Sequence, residues 1–241
     1  MKIIGVIPAR YKSSRFPGKP LADIHGRPLI WWVYKQARRV SLFDKIYVAT
    51  DDNRIKKACD SFDMPSIMTS PKHKTGTDRV GEVADKVKAD IYANIQGDEP
   101  LLSLSMIRSA VLPLLKSGKI RVTNLMAEIK KTPDLSDSTI PKVVVNAGKK
   151  AVFLSRLPIP YPKNRQVQTY YKQICVYGFR REALRKFCAL KRGIIESKED
   201  IEILRFIENG IEVHMIKVKG DTVAVDTPAD LKKVQKILSK P

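Results

Sequence analysis

The sequence contains few of the residues that build disulfides or zinc sites. Its 241 residues include only three cysteines, Cys59, Cys175 and Cys188, and three histidines. No C-x-x-C pair and no H-E-x-x-H motif occurs. Neither a disulfide framework nor a dedicated zinc site is therefore expected. We predict that the three cysteines are buried free thiols.

Long apolar runs are also missing. No stretch reaches the ~18 consecutive apolar residues of a membrane span. The apolar run at residues 3–8 is too short for a signal peptide. We therefore expect a cytoplasmic protein without a membrane partner. Hydrophobic residues nevertheless make up 43% of the chain, which is enough for a packed core and excludes intrinsic disorder.

Positive charge is in clear excess. The chain has 45 lysines and arginines against 25 aspartates and glutamates, a formal charge of +20. Such an excess suits nucleic acid, a polyanionic small substrate or simply a solvated basic surface. Lys232, Lys233, Lys236 and Lys240 alternate with an apolar stripe, which is typical of an ordinary amphipathic surface helix. No zinc-finger, homeodomain or RNP-like motif is present, so nucleic acid is the least favoured partner.

Strand and helix patterns alternate through the first half of the chain. Strands are predicted at 3–8, 45–50, 65–68 and 90–95, and helices at 28–39, 53–61, 75–88 and 103–116. Apolar runs of this length suit strands buried on both faces. The alternation predicts an α/β fold with a doubly wound, mostly parallel sheet.

The middle of the chain has a different pattern. Strands are predicted at 122–128, 141–146, 151–154 and 171–179, without room for long helices between them, and 157–162 is predicted to be an extended arm because of its prolines. Helices at 181–189 and 199–209 and a strand at 211–218 follow. We expect one domain over 1–241 with a mixed-sheet insertion at about 120–175.

A basic loop follows the first predicted strand. Arg10, Lys12, Arg15 and Lys19 lie within ten residues, at the carboxyl end of a strand where open α/β sheets bind ligands. Guanidinium and ammonium groups in such a loop can enclose a triphosphate. The loop has neither the Walker A nor the G-x-G-x-x-G pattern, so P-loop hydrolysis and Rossmann redox chemistry are not supported. A solvated loop with stray charges is the alternative.

Two aspartates follow other predicted strands. Asp98 lies in the segment 94–100 (NIQGDEP), just after a buried strand, and Asp226 precedes the helix that Thr227 and Pro228 begin. Two carboxylates together with substrate phosphates are suitable ligands for magnesium. Each aspartate alone is also compatible with a structural turn or cap.

These segments, together with 75–79 (TGTDR), 153–160 (FLSRLPIP) and 225–228 (VDTP), occur in one order along the chain. The set resembles the 3-deoxy-manno-octulosonate cytidylyltransferases, the CMP-Kdo synthetases of lipopolysaccharide and capsule synthesis, over nearly the whole chain. The resemblance implies a nucleotidyltransferase of glycosyltransferase-A-like fold. It also implies Mg²⁺ as cofactor, CTP and an acidic sugar as substrates, and a homodimer formed through segment 120–175.

The resemblance also implies a role for individual residues. The nucleotide would be bound by Ala9, Arg10, Arg15, Lys19, Thr75, Gly76 and Thr77. The acceptor would be bound by Arg79, Gln96, Arg156, Gln173, Tyr177, Glu202 and Ile203. Asp98 and Asp226 would hold the metal, and with Arg10, Arg15 and Lys19 would form the catalytic set.

Two positions depart from the pattern of the family. Gln173 stands where the family usually has histidine, and Ile203 where it has glutamine. Glutamine cannot carry the charge of histidine, and isoleucine forms no side-chain hydrogen bond. The same chemistry on a different acceptor, such as another ulosonic or nonulosonic acid or a phosphonate, is therefore an alternative to Kdo activation. A basic nucleic-acid-binding module with an inert transferase fold is a further one.

Overall fold

The computed structural model describes residues 1–13, 15–163, 169–220 and 222–238. The strands are β1 (Ile3–Ala9), β2 (Asp23–Ile24), β3 (Arg27–Pro28), β4 (Lys45–Thr50), β5 (Ser66–Met68), β6 (Ile91–Ile95), β7 (Val122–Glu128), β8 (Lys142–Val145), β9 (Ala151–Ser155), β10 (Tyr171–Arg180) and β11 (His214–Lys217). The helices are α1 (Leu29–Arg38), α2 (Asn53–Ser61), α3 (Gly76–Lys86), α4 (Leu104–Lys116), α5 (Thr132–Ser136), α6 (Arg181–Ala189), α7 (Ile194–Glu199), α8 (Leu204–Glu208) and α9 (Pro228–Ile237).

The main sheet has the order β11-β7-β10-β6-β1-β4-β5. Strand β1 is an interior strand and pairs in parallel with β4 and β6, and β4 pairs in parallel with β5. Strand β10 is antiparallel to β6 and β7, and the β8–β9 hairpin attaches to it. This topology confirms the predicted α/β class and the mixed sheet in the middle of the chain.

Helices cover both faces of the sheet. Along β1, Ile3 and Ile7 face one core cluster, and Ile4 and Val6 face the other, because successive side chains of a strand point to opposite faces. The first cluster contains the apolar sides of α1, α2 and α4, and the second those of α3, α6 and α8. A strand buried on both faces explains why the run at 3–8 is wholly apolar.

Two predictions from the sequence are wrong. Of the helix predicted at 199–209 only α8 forms, and residues 200–203 are not helical. A separate helix, α7, ends just before Asp200, which adopts a left-handed conformation with φ 51°; aspartate is one of the few residues that tolerate it. The cysteines are all free, but only Cys59 is buried, whereas Cys188 is exposed. Cys188 lies one position beyond the inward-facing Phe187 on α6.

The C-terminal helix α9 has the predicted amphipathic character, with Val234 buried. Lys240, which we placed on the same stretch, lies outside the described residues. Within the described ranges, none of the helices combines the length and the apolar character that crossing a bilayer requires.

Candidate active site

A cavity of about 530 Å³ opens at the carboxyl ends of β1 and β6. The basic loop after β1, the N-terminus of α3, the loop after β6 and the segment before α9 form its walls. The β10 strand and the residues between α7 and α8 complete it. This is the edge at which an open α/β sheet binds its ligand.

The basic loop is shaped by its glycine. Gly18 has φ 72°, and its backbone nitrogen donates to the carbonyl oxygen of Tyr11 at 2.9 Å. A Cβ at this position would lie 3.1 Å from the Tyr11 ring, so both conformation and space favour glycine. The turn delivers Lys19 to the cavity, where its Nζ lies 2.7 Å from Asp98 Oδ2 and 3.2 Å from Asp226 Oδ1.

The two aspartates are brought together by the backbone. The nitrogen of Val225 donates to the carbonyl oxygen of Asp98 at 2.9 Å, which joins the segment before α9 to the loop after β6. Gly97 lets the loop after β6 pass close to the end of β1, because a Cβ there would lie 2.8 Å from the carbonyl oxygen of Pro8. Asp98 and Asp226 therefore converge on one point although they lie far apart in the sequence.

The charges at this point are opposite and close. Burial alone would lower the pKa of Lys19, but Asp98 and Asp226 raise it above its usual value, so the ammonium stays charged at neutral pH. Arg15 Nη2 lies 3.2 Å from Asp226 Oδ1, and Arg10 lines the same wall. A ligand here meets three cations beside two carboxylates.

The two carboxylates fit a magnesium ion by chemistry. Their oxygens reach one common ammonium, and both side chains are partly open to the cavity, 29% and 27% exposed. Oxygen ligands of this kind suit Mg²⁺. The described residues contain no group of three or more aspartate, glutamate, histidine or cysteine side chains that could hold a metal. Substrate and water oxygens would therefore have to complete the ion's coordination.

The N-terminus of α3 forms the next wall. Thr75 caps the helix, and its Oγ1 accepts a hydrogen bond from the backbone nitrogen of Asp78 at 3.1 Å. Gly76 lines the cavity, and a Cβ there would lie 2.9 Å from Gln96 Nε2. Thr77 is buried and does not reach the cavity; its backbone nitrogen donates to Glu202 Oε2 at 2.9 Å. Ala9 lines the wall beside Gly76.

Six of the seven predicted acceptor residues line the cavity: Arg79, Gln96, Arg156, Gln173, Tyr177 and Glu202. Ile203 does not. It is 1% exposed and packs in the core where α8 begins, while Ile201 borders the cavity. The prediction that Ile203 borders the acceptor is therefore wrong, because the break at Asp200 turns α8 so that this side chain points inward.

Several acceptor-side groups are held by hydrogen bonds. Glu202 Oε1 accepts from Gln96 Nε2 at 3.2 Å, and burial raises the pKa of Glu202. The guanidinium of Arg156 donates to the carbonyl oxygens of Ser138 at 2.9 Å and Asp200 at 3.1 Å. The Nη2 atom of Arg79 lies 3.3 Å from Asp51 Oδ1. These side chains are fixed before any ligand binds.

Sequence reasoning missed several residues of the cavity wall, among them Glu99, His73, Lys74, Cys175 and Arg192. Glu99 Oε1 accepts from the backbone nitrogen of Cys175 at 3.2 Å. Burial, with a smaller contribution from Asp98, raises the pKa of Glu99 to about 7. Its place next to Asp98 in the 94–100 segment was a usable signal. Arg192 had none, since it lies in the loop between α6 and α7 and is held there by ion pairs with Glu196 and Asp200.

Comparison with known proteins agrees with this geometry. The family model described as cytidylyltransferase matches residues 4–217, which defines the class as a nucleotidyltransferase. The 3-deoxy-manno-octulosonate cytidylyltransferase of Escherichia coli is 40% identical over 99% of this chain and 97% of its own length. That of Geobacter metallireducens is 38% identical over 100% of this chain and 99% of its own. The chain belongs to the family of 3-deoxy-manno-octulosonate cytidylyltransferases.

Solved structures support the same assignment. A CMP:2-keto-3-deoxy-manno-octonic acid synthetase complexed with CTP has a TM-score of 0.93 and 40% identity, and the match covers 98% of each chain. A structure described as a putative glucose-1-phosphate thymidylyltransferase from Bacillus anthracis has a TM-score of 0.70 at 15% identity over 98% of this chain and 94% of its own. The second likeness shows the fold alone.

Proposed function

We propose that this protein transfers the CMP group of CTP to 3-deoxy-manno-octulosonate (Kdo), forming CMP-Kdo and pyrophosphate, as a step of lipopolysaccharide or capsule synthesis. A hydroxyl oxygen of the acceptor attacks the α-phosphorus of CTP, the bond to the β-phosphate oxygen breaks, and the hydroxyl proton leaves to solvent. The observation that carries the proposal is the convergence of Lys19, Asp98 and Asp226 in the cavity. The names of the relatives support the choice of substrates.

The cations of the basic loop take the nucleotide. Arg10, Arg15 and Lys19 face the position of the triphosphate and neutralise the charge that develops on the leaving pyrophosphate. Phosphoryl transfer depends mainly on positioning and on charge stabilisation, so fixed cations are the catalytic groups that the chemistry needs. Thr75 and Gly76 border the nucleoside side, and Thr77 supports that wall from behind.

Asp98 and Asp226 would hold Mg²⁺. When bound, the ion screens the phosphate charge and lowers the pKa of a coordinated hydroxyl. The acceptor carboxylate is attracted by Arg79 and Arg156, which also line the cavity. Gln96, Tyr177 and Glu202 provide neutral and acidic partners for the hydroxyl groups of the sugar acid.

The decisive experiment measures pyrophosphate release from CTP with Kdo, N-acetylneuraminate and a small phosphonate as acceptors. ATP, GTP and UTP serve as nucleotide controls, and EDTA as the metal control. We expect Mg²⁺-dependent release with CTP and Kdo as the best pair. A clear preference for another acid would replace Kdo. Salt-dependent RNA or DNA binding without turnover would favour the nucleic-acid alternative.

Three further statements stay predictions. They are the single domain over 1–241, the homodimer through about 120–175 and the cytoplasmic location. Light scattering coupled to size-exclusion chromatography measures the oligomeric state, and cell fractionation the location.

A further inference from the structure

A buried asparagine is held in one orientation beside the acceptor wall. Asn124, on β7, is 0% exposed, and its Nδ2 donates to the carbonyl oxygens of Ile174 at 2.9 Å and Val176 at 3.0 Å. Those carbonyls lie where the β10–β7 register shifts, between Ile174 and Tyr177. Both hydrogens of the amide are used, so the orientation of Asn124 is set by the backbone.

The orientation of Asn124 determines that of Gln173. Asn124 Oδ1 accepts from Gln173 Nε2 at 2.8 Å, and the same nitrogen lies 3.4 Å from the Tyr177 hydroxyl oxygen. Turning the Gln173 amide over would place its oxygen against Asn124 Oδ1, two acceptors with no proton between them. The amide nitrogen of Gln173 therefore faces the protein.

The carbonyl oxygen of Gln173 is left for a ligand. Within the described part of the chain, no group donates a hydrogen bond to Gln173 Oε1. The oxygen is also not one of the fully buried polar atoms without a partner, so it is open to the cavity. Gln173 lines the cavity although the residue is only 6% exposed. The cavity wall consequently presents a hydrogen-bond acceptor without a protein donor at this point.

We infer that Gln173 is a specificity-determining residue whose Oε1 accepts a hydrogen bond from one hydroxyl of the acceptor, and that Asn124 is the positioning residue that directs it. The inference rests on the proposed function and narrows its acceptor to acids with a hydroxyl facing Gln173. An acceptor carboxylate is excluded from this point because two acceptors would meet. When an analogue without that hydroxyl binds, Gln173 Oε1 has no hydrogen-bond donor although its residue is only 6% exposed.

The test combines altered acceptors with altered residues. The acceptors are Kdo and a set of Kdo analogues, each with one hydroxyl away from the reacting carbon replaced by hydrogen. For the wild type we expect kcat/KM to fall about 10- to 100-fold with one analogue of the set. Gln173→Met removes the carbonyl at similar size. It should lose activity on Kdo and show less than about a 3-fold further loss with that same analogue.

Two other variants separate position from packing. Gln173→Glu, assayed at mildly acidic pH, can keep a carbonyl toward the cavity while its protonated oxygen donates to Asn124 Oδ1, so the selectivity should be rescued. Asn124→Leu should bring the kcat/KM values for Kdo and for the analogue close to each other, even though Gln173 is intact. If Asn124→Leu does not fold, the comparison of Gln173→Met with Gln173→Glu decides alone.

The outcomes are distinguishable. If the wild type and Gln173→Met discriminate equally among all analogues while Kdo is turned over, the inference about Gln173 fails and the proposed function stands. If none of the sugar acids serves the wild type as an acceptor for CTP, the proposed function fails, and the inference fails with it. Both are supported if the ratio of kcat/KM for Kdo to kcat/KM for the analogue falls toward one in Gln173→Met and rises again in Gln173→Glu.

Discussion

Lys19 Nζ lies 2.7 Å from Asp98 Oδ2, across a gap of 79 residues in the chain. The same ammonium lies 3.2 Å from Asp226 Oδ1. One lysine therefore keeps two carboxylates together that would otherwise repel each other. The arrangement prepares a place for a divalent cation and for phosphate oxygens, and the first two predictions follow from it.

Asp98→Asn should abolish turnover, with a loss of at least about 100-fold, because a neutral amide oxygen binds a divalent cation more weakly than a carboxylate does and leaves its charge unbalanced. CTP binding should change by only a few-fold, since the cations of the basic loop are intact. Pyrophosphate release and calorimetric titration with CTP measure the two effects. Asp60→Asn, at an exposed position on α2, is the matched control. Near-normal turnover of Asp98→Asn would remove this carboxylate from the mechanism.

Lys19→Met should also abolish turnover, but it should act differently on the free protein. Without the ammonium, Asp98 loses its ion-pair partner and Asp226 keeps only Arg15, so the Tm should fall in the presence of EDTA. Added Mg²⁺ should then raise the Tm more in Lys19→Met than in the wild type, because no ammonium competes for the carboxylates. Lys19→Arg keeps the positive charge and should show the smaller Mg²⁺ effect. An equal Mg²⁺ effect in all three proteins would argue against a shared cation site.

Glu82 predicts a pH dependence of stability. Its burial alone would raise its pKa, but Lys86, the backbone nitrogen of Ser70 and His73 lower it from 4.5 to about 2. His73 Nε2 lies 2.5 Å from Glu82 Oε2, and Ser70 N donates to the same oxygen at 2.7 Å. The folded state thus favours the ionised carboxyl, and this stabilisation is present above pH 4.5 and is lost as the pH falls toward 2.

Glu82→Gln should therefore lower the free energy of unfolding at pH 7 by about 1–2 kcal/mol, a value reduced for solvent screening of the partly exposed group. At pH 3 the difference from the wild type should be smaller. Urea unfolding at both pH values measures it. Glu182→Gln, whose carboxylate is 66% exposed, should change stability by less than about 0.5 kcal/mol. A Glu82→Gln difference that does not depend on pH would show that the carboxyl contributes only by packing.

Features set by neighbouring residues were predictable from the sequence. The strand at 45–50 and the helix at 53–61 have the predicted bounds, because the apolar pattern is local and Asp52 caps the helix through Arg54 N. The position of Asp98 followed from a general rule, that ligand sites lie at the carboxyl ends of parallel strands. Its pairing with Asp226 came from the family resemblance, because residues 222–227 contain no strand and β11 already ends at Lys217.

Features set by distant pairing were not predictable. The side on which Ile203 lies depends on a left-handed residue at Asp200, which a helical pattern conceals. The contact between Asn124 and Gln173 depends on a register shift between two strands that are 50 residues apart in the chain, and no local pattern encodes such a shift. The resemblance to a family placed Gln173 near the acceptor but did not give the orientation of its amide.

A buried ion pair behind the nucleotide wall supplies the last prediction. Arg205 Nε and Nη2 donate to the two carboxylate oxygens of Glu196, each at 2.8 Å, and Nη1 donates to Asp78 Oδ1 at 2.7 Å. Arg205 is 3% exposed and Glu196 0%. Asp78 also completes the cap of α3, since Thr75 N donates to Asp78 Oδ2 at 3.1 Å. The network therefore connects the core to the wall that contains Gly76.

Arg205→Leu should lower the free energy of unfolding by about 3–5 kcal/mol, because the fully buried Glu196 loses its two-pronged partner and keeps only Arg192, whose Nε lies 3.4 Å from Oε1. The double variant Glu196→Leu/Arg205→Leu should be more stable than Arg205→Leu, since removing both charges also removes the desolvation penalty. Urea unfolding at pH 7 gives both values. In the double variant, the KM for CTP should still be raised, because Asp78 has lost the partner that holds it at the cap. If the double variant were as unstable as the single one, the loss would come from packing around Phe187, over whose ring the guanidinium lies, and not from charge.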